Sequence, residues 1–312
     1  MAINVPKLTR RRIFAAAVET TTGTAMTLNA STGAFNAYNH SLKENSPTNE
    51  RQGQGSLSSL PPVAGAQMGE YDFVTELFGS GSGGTPPAWA TVLLGGCSWT
   101  GLSGGVFKPS TGIGTTLTMG MFNDGRLRAL KGAAGDLTIT CEDGKPAQCE
   151  WKFSGAWTAP IDSALIAPTY PTVIPPIFTG AIVTIAGTQY RMPSMKIEIG
   201  NTVTVRPDVN AATGYFAAVV VNFDKCKVTL PAEALALATK NWSADRIANT
   251  PYALSAQIGS VTGNIITITA PAMYQMDAPN DSDKGGILYD ELSFKPARNS
   301  SAGDDHLQIA FT

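Results

Sequence analysis

The chain has 312 residues, 43% of them hydrophobic and only 15% charged, against about 25% charged in an ordinary soluble domain. Its 22 Lys and Arg against 24 Asp and Glu leave a net charge of −2, which excludes a strongly basic nucleic-acid binder and the signature of a disordered chain. High glycine (32) and proline (20) indicate a turn-rich, mainly β protein whose surface is covered by small polar residues or by a neighbour.

Near the N-terminus, Arg10, Arg11 and Arg12 precede an apolar stretch over 13–18 that Glu19 ends. It is too short for the core of an export signal, so it reads as a basic arm entering a first strand. Residues 42–69 are rich in Ser, Gly, Asn, Gln and Pro and lack periodicity, the mark of a long loop with a functional role. Residues 71–78 read as a strand. Gly79 to Gly84 then fit G-x-G-x-x-G between a strand and a helix, the context of a dinucleotide fingerprint. Pro86 and Pro87 remove the N–H groups a phosphate would need, and no βαβ alternation surrounds the motif, so it reads as a flexible loop. Thr85 is expected to cap a short helix that Pro86 opens and Gly95 and Gly96 close. Residues 136–141 alternate polar and apolar, Asp143-Gly144 is a turn, and residues 150–153 return as the partner strand.

Pro160, Pro168, Pro171, Pro175 and Pro176 make residues 160–176 an extended linker. It divides the chain into domains at 1–159, which carries the 42–69 loop, and 177–312. The second half repeats the first in pattern. Residues 195–199 and 202–205 alternate cleanly and are expected to pair, with Gly200-Asn201 as a turn or bulge. A strand follows at 215–223, then a helix from Pro231 through 232–238 with Trp242 behind it, an alternating strand at 264–269, an acidic loop at 277–286, and 291–294 matching 150–153. The fold class is mainly β: two tandem β-sandwich or barrel domains, each with one short helix, arising by internal duplication.

Catalytic constellations are scarce. Cys97, Cys141, Cys149 and Cys226 lack C-x-x-C spacing, and His40 and His306 are the two histidines available to join them, so no metal site is expected. The thiols read as reduced and structural. Asp304, Asp305 and His306 could orient a base or a metal, and Asp277, Asp281 and Asp283 could loosely hold Ca²⁺, but neither group has a recognised spacing and both read as solvated turns. Trp89, Trp99, Trp151, Trp157 and Trp242 read as core residues. No catalytic, cofactor-binding or metal residue is assigned, and no cofactor. The longest apolar run, 215–221, falls far short of the ~20 residues that span a bilayer, so no membrane insertion is expected.

A set of local sequences, weak singly but specific in order, runs along most of the chain. They are Val18-Glu19-Thr20-Thr21-Thr22-Gly23, the 68–81 segment from Met68-Gly69-Glu70-Tyr71 to Gly81, Pro86-Pro87-Ala88-Trp89 on to Cys97, and Gly125-Arg126-Leu127-Arg128 on to Gly135. The second half adds Ile199-Gly200-Asn201-Thr202-Val203, Arg206-Pro207-Asp208, Gly214-Tyr215 and Gly286-Ile287. In these the chain resembles the tail tube (major tail) proteins of long, non-contractile-tailed bacteriophages. The resemblance implies a structural virion protein and no enzyme. Its sheets would join between subunits into a ring barrel, and the stacked rings would conduct DNA during ejection into the host. With a duplicated tube domain a trimeric, pseudo-hexameric ring is favoured over a hexamer. Implied partners are the chain itself, the tape-measure, tail terminator and tail-tip proteins, and DNA passing without specific binding. The implied location is the phage tail, after synthesis in the bacterial host cytoplasm. Expected ring-to-ring contacts lie in the 42–69 loop, at Ser46, Thr48, Glu50, Arg51, Gln52 and Gln54. Expected lumen residues are Lys196, Glu198, Thr202, Thr204, Thr138 and Thr140. The alternatives are another self-assembling or adhesive β protein (a fibre, ring or tail-terminator-like module) and, more distantly, a hydrolase using Asp304, Asp305 and His306.

Overall fold

Alternation of apolar and polar residues commits about half of the chain to strands, most of them with one buried face. The computed structural model describes residues 6–32, 35–112 and 114–312. Its first half contains β1 (Arg12–Val18), β2 (Ala37–Asn45), β3 (Thr48–Arg51), β4 (Leu60–Ala64), β5 (Met68–Glu76), α1 (Ala88–Gly96), β6 (Trp99–Leu102), β7 (Val106–Pro109), β8 (Leu117–Asn123), β9 (Arg126–Glu142) and β10 (Gln148–Asp162). The second half contains β11 (Ile182–Ile185), β12 (Thr188–Gln189), β13 (Ser194–Glu198), β14 (Thr202–Pro207), β15 (Tyr215–Asn222), β16 (Lys227–Glu233), α2 (Trp242–Ile247), β17 (Tyr252–Ile258), β18 (Ile266–Gln275), β19 (Asn280–Lys284), β20 (Ile287–Pro296) and β21 (Gln308–Phe311). The protein is mainly β, as expected, and its strand pairings are antiparallel throughout.

Two runs of neighbouring strands have the same order. The first is β2-β5-β10-β9-β8-β1, and the second is β13-β16-β20-β18-β17-β11. In each, the edge strand is followed by a two-stranded excursion, β3-β4 or β14-β15, and a short helix follows the next strand. The runs are joined by β9 and β13, where Thr138 faces Glu198 and Thr140 faces Lys196. The C-terminal strand β21 ties them again, pairing with β18 on one side and β7 on the other.

One buried cluster spans both halves, from Phe14, Tyr71 and Trp89 to Val228, Phe294 and Phe311. Its aromatic centre runs from Phe14 over Phe73, 4.5 Å between ring centroids, to Trp151, and Trp89 meets Phe311 edge-on at 5.7 Å. All five tryptophans are buried, as core packing requires. All four cysteines are free and buried. Burial raises the thiol pKa of Cys141 and Cys226 to about 12 and pushes those of Cys97 and Cys149 well above their ordinary value.

Three local expectations need correction. Residues 232–238 form no helix. The two-residue burial rhythm of Val228, Leu230 and Ala232 continues through Pro231, and β16 pairs with β20 as far as Glu233–Tyr289. The available strand partner outweighs the helix propensity of the Ala-rich segment. The helix lies beyond it, where the Asn241 side chain accepts from Ala244 N at 3.0 Å and caps α2. Second, 195–199 and 202–205 are not partners: β13 lies between β9 and β16, while β14 pairs with β15. Gly200, at φ +69, turns the chain out of the main sheet rather than back on itself. Third, the acidic segment is not a simple loop, because Asn280–Lys284 pairs with Ile287–Glu291 around Gly285 and Gly286. The stretch without strand or helix between the halves is 163–176, since β10 continues through Pro160 to Asp162.

Candidate functional site: a polar sheet face, two open edges and an arm

The pairing of β9 with β13 makes a ribbon of eight strands in the order β2-β5-β10-β9-β13-β16-β20-β19. Alternation gives the ribbon two unlike faces. Tyr71, Phe73, Trp151, Phe153, Leu137, Ile139, Met195, Ile197, Val228, Leu230, Leu292 and Phe294 are buried beneath it. The opposite face carries Glu70, Asp72 and Glu76 on β5, Glu150 and Lys152 on β10, Asp136, Thr138, Thr140 and Glu142 on β9, Lys196 and Glu198 on β13, Lys227 and Thr229 on β16, and Glu291, Ser293 and Lys295 on β20.

Acidic residues outnumber basic ones on this face, and opposite charges stand across strands. Lys152 is flanked by Asp72 and Asp136, and Glu198 faces Lys227. Lys196 Nζ donates to Glu198 Oε1 at 2.6 Å. Burial raises the pKa of Asp136, although its carboxylate accepts from Asn201 N at 2.8 Å. The face is a lightly charged, net acidic surface.

Four of the expected lumen residues, Thr138, Thr140, Lys196 and Glu198, therefore lie together on one face as cross-strand neighbours. Thr202 and Thr204 do not join them. They lie on the separate β14-β15 hairpin, which turns over the first half so that Ala217 packs on Gly132 and Phe216 on Gly23.

The ribbon ends in two strands that each have a partner on one side only among the described residues, β2 on β5 and β19 on β20. Sequence reasoning did not find these edges, because edge status depends on long-range pairing. The 42–69 region holds the end of β2, the β3-β4 hairpin with its tip, and the start of β5. Thr48, Glu50, Arg51, Gln52 and Gln54 are exposed and Ser46 is half-buried. Leu57, Leu60 and Val63 are also exposed on this arm.

The other motifs have structural roles. Gly79 N donates to Asn264 Oδ1 at 2.8 Å and Gly81 N to Gly263 O at 2.9 Å, so the glycine-rich loop clasps a loop of the second half. Asp304 accepts from Thr111, Asp305 accepts from the backbone N–H groups of Asn299 and Ser300, and the His306 ring lies against Phe223. Among the described residues no group of three His, Cys, Asp or Glu side chains is placed to hold a metal ion, and no helix is long and apolar enough to cross a membrane.

An antiparallel chain with a polar ribbon face, open edges and a projecting arm is a β-structural subunit. The comparison with known families gives it a place: residues 9–307 match the profile described as phage tail tube protein, and the chain belongs to that family. It is accordingly a structural protein of the phage tail. No curated protein matches the sequence.

Proposed function

We propose that copies of this chain close into a ring in which their ribbons form one continuous barrel, polar face inward, and that stacked rings make the tail tube through which DNA is ejected. The observation that carries this is the eight-strand ribbon, apolar beneath and polar above, with an unpaired edge at each end. Open edges are an aggregation hazard unless paired, and a heterologous ring pairs every one and closes.

The repeated strand order supports reading 1–159 and 177–312 as two copies of one tube domain linked by 160–176. Each contributes four strands to the ribbon, so three chains supply what six single-domain subunits would, and a trimeric, pseudo-sixfold ring follows. Lys196, Glu198, Thr138 and Thr140 would then line the lumen. Acidic residues there suit a conduit, because clustered Lys and Arg would hold the phosphate backbone. The β3-β4 arm, with Thr48, Glu50, Arg51, Gln52 and Gln54 exposed, is the proposed contact to the adjacent ring. Tape-measure, terminator and tip proteins would meet the tube at its lumen and ends, after synthesis in the host cytoplasm. Electron microscopy of the purified protein tests this: hollow tubes whose end-on averages show three chains per ring are expected. A protein that stays monomeric in every buffer would refute it.

A further inference from the structure

We infer that the contact between neighbouring copies repeats the contact between the two halves of one chain: the free edge of β2 pairs antiparallel with the free edge of β19 of the next copy, in the register that β13 adopts on β9. This rests on the ring reading above and gives it a specific junction.

The register follows from the two strand runs. Glu150 and Phe153 of β10 correspond to Glu291 and Phe294 of β20. Thr138 stands opposite Glu150, and Asn280 stands opposite Glu291, so β19 occupies the place of residues 138–142 of β9. On the other flank, Tyr71 faces Phe153 and Leu42, while Val228 faces Phe294 and Ile197. Leu42, buried like Ile197, therefore stands where Ile197 stands, and Ser41 stands where Lys196 does. Because Lys196 pairs with Thr140 and Glu198 with Thr138, Ser41 should meet Ser282, and Lys43 should meet Asn280, of the next copy.

The junction differs from its internal template in one respect that points to the same partner. Beneath the ribbon, the internal seam is apolar, with Met195 and Ile197 against Cys141 and Ile139. At the corresponding places β19 carries Asp283 and Asp281. Asp281 faces Asp290, whose carboxyl pKa is raised by burial and by that neighbouring charge. The one cation of β19, Lys284, pairs with Glu291 on the polar face, so the two aspartates beneath the ribbon lack a cation among the described residues. The cation is available at the other edge. Arg12 at the start of β1 is exposed, makes no ion pair among the described residues, and lies near enough to His40 and Tyr71 for its charge to lower the pKa of each, beside the larger effects of burial. Two acidic β19 edges repel each other, whereas an acidic edge against Arg12 attracts. The charges thus select the head-to-tail pairing that closes a ring.

Thiol cross-linking tests the register. The four native cysteines are buried with raised pKa values, so introduced surface thiols react on a silent background. Assembled tubes of Ser41→Cys/Ser282→Cys, or of the next pair Lys43→Cys/Asn280→Cys, should oxidise to covalent two- and three-chain species. A mixture of the two single variants should give two-chain species only. Lys196→Cys/Thr140→Cys serves as the control that closes within one chain. Separately, Asp281→Arg/Asp283→Arg should abolish tube formation, and adding Arg12→Asp should restore it. Tubes that form while the control closes and neither pair cross-links would overturn the junction and leave the ring reading standing. Failure of the native protein to form tubes would overturn the ring reading itself.

Discussion

Glu19 shows how much one side chain holds in place. Its buried carboxylate accepts from Gly23 N at 2.7 Å, Thr116 Oγ1 at 2.6 Å, Thr118 Oγ1 at 2.8 Å and Gly132 N at 2.7 Å, fixing the turn after β1 onto β8 and β9. Glu19→Ala leaves these donors without an acceptor and should cost about 3 kcal/mol, read as a lower urea midpoint of the unassembled subunit. The close approach of the two halves depends on glycine. A Cβ on Gly79 would lie 2.1 Å from Gly263 O, so Gly79→Ala should lower stability by about 1–3 kcal/mol in the same assay. Beside α2, Lys240 Nζ at 2.8 Å and Tyr252 Oη at 2.6 Å donate to Asp245 and hold its carboxyl below the ordinary range. A depressed carboxyl stabilises the fold above its unfolded value, about 3.9, and that stability is lost as pH falls through the lower folded value. The stability gap between the native protein and Asp245→Asn should therefore be full at neutral pH and shrink below about pH 4. The roles of Glu19 and Gly79 are not legible in the sequence, since most of their partners lie on distant segments. The partners of Asp245 are near in sequence but meet only through the turn that α2 makes between Lys240 and Tyr252.

At the scale of elements, legibility followed the locality of the signal. The β9-β10 hairpin was readable because alternation, the Asp143-Gly144 turn and the return strand all lie within a short span. The helix α1 was located, but its ends were not: Pro87 rather than Thr85 is its cap residue, with no side-chain cap, and Gly95 and Gly96 lie inside the helix instead of beyond it. The Ala-rich stretch misled because its helical composition competes with a strand slot that only β20 creates. Asn241, the cap of α2, was a usable signal that the Ala-rich run overshadowed. The 42–69 segment was marked as functional by its composition, yet its hairpin was not legible, as its strands bury nothing and so show no apolar rhythm. That exposure gives a test: replacing Thr48–Ala64 by a short Gly-rich turn should leave the subunit's melting temperature nearly unchanged and stop rings from stacking. Normal tubes from this variant would remove the arm from the assembly.

Considered whole, the molecule puts much of its sparse charge on the polar ribbon face, which the proposed ring would turn toward DNA. In the proposed ring much of the remaining surface would be covered by neighbours, which would account for 15% charged residues in a chain of this size. The polar face was partly legible: strand alternation located Thr138, Thr140, Lys196 and Glu198, whereas the shared face itself required the β9-β13 pairing. If that face lines a conduit, its charge balance sets how freely DNA moves. Tubes of the native protein should not retain DNA at about 0.15 M salt. Tubes carrying Glu70→Lys, Glu150→Lys and Glu198→Lys should retain it, with a retention that falls steeply as salt rises. Equal passage through both would show that this face does not meet DNA.

The join of β9 to β13 has a kinetic consequence. Half of the seams in a closed ring would form inside single chains, where the 163–176 connector keeps the two edges at high effective concentration. Those seams are complete before any two copies meet. A ring of three then needs two encounters rather than the five of a six-subunit ring, and assembly responds to subunit concentration with a correspondingly lower order. A chain cut within the connector, with both pieces kept together by β9 and β13, would test whether the tether or the seam sets that order.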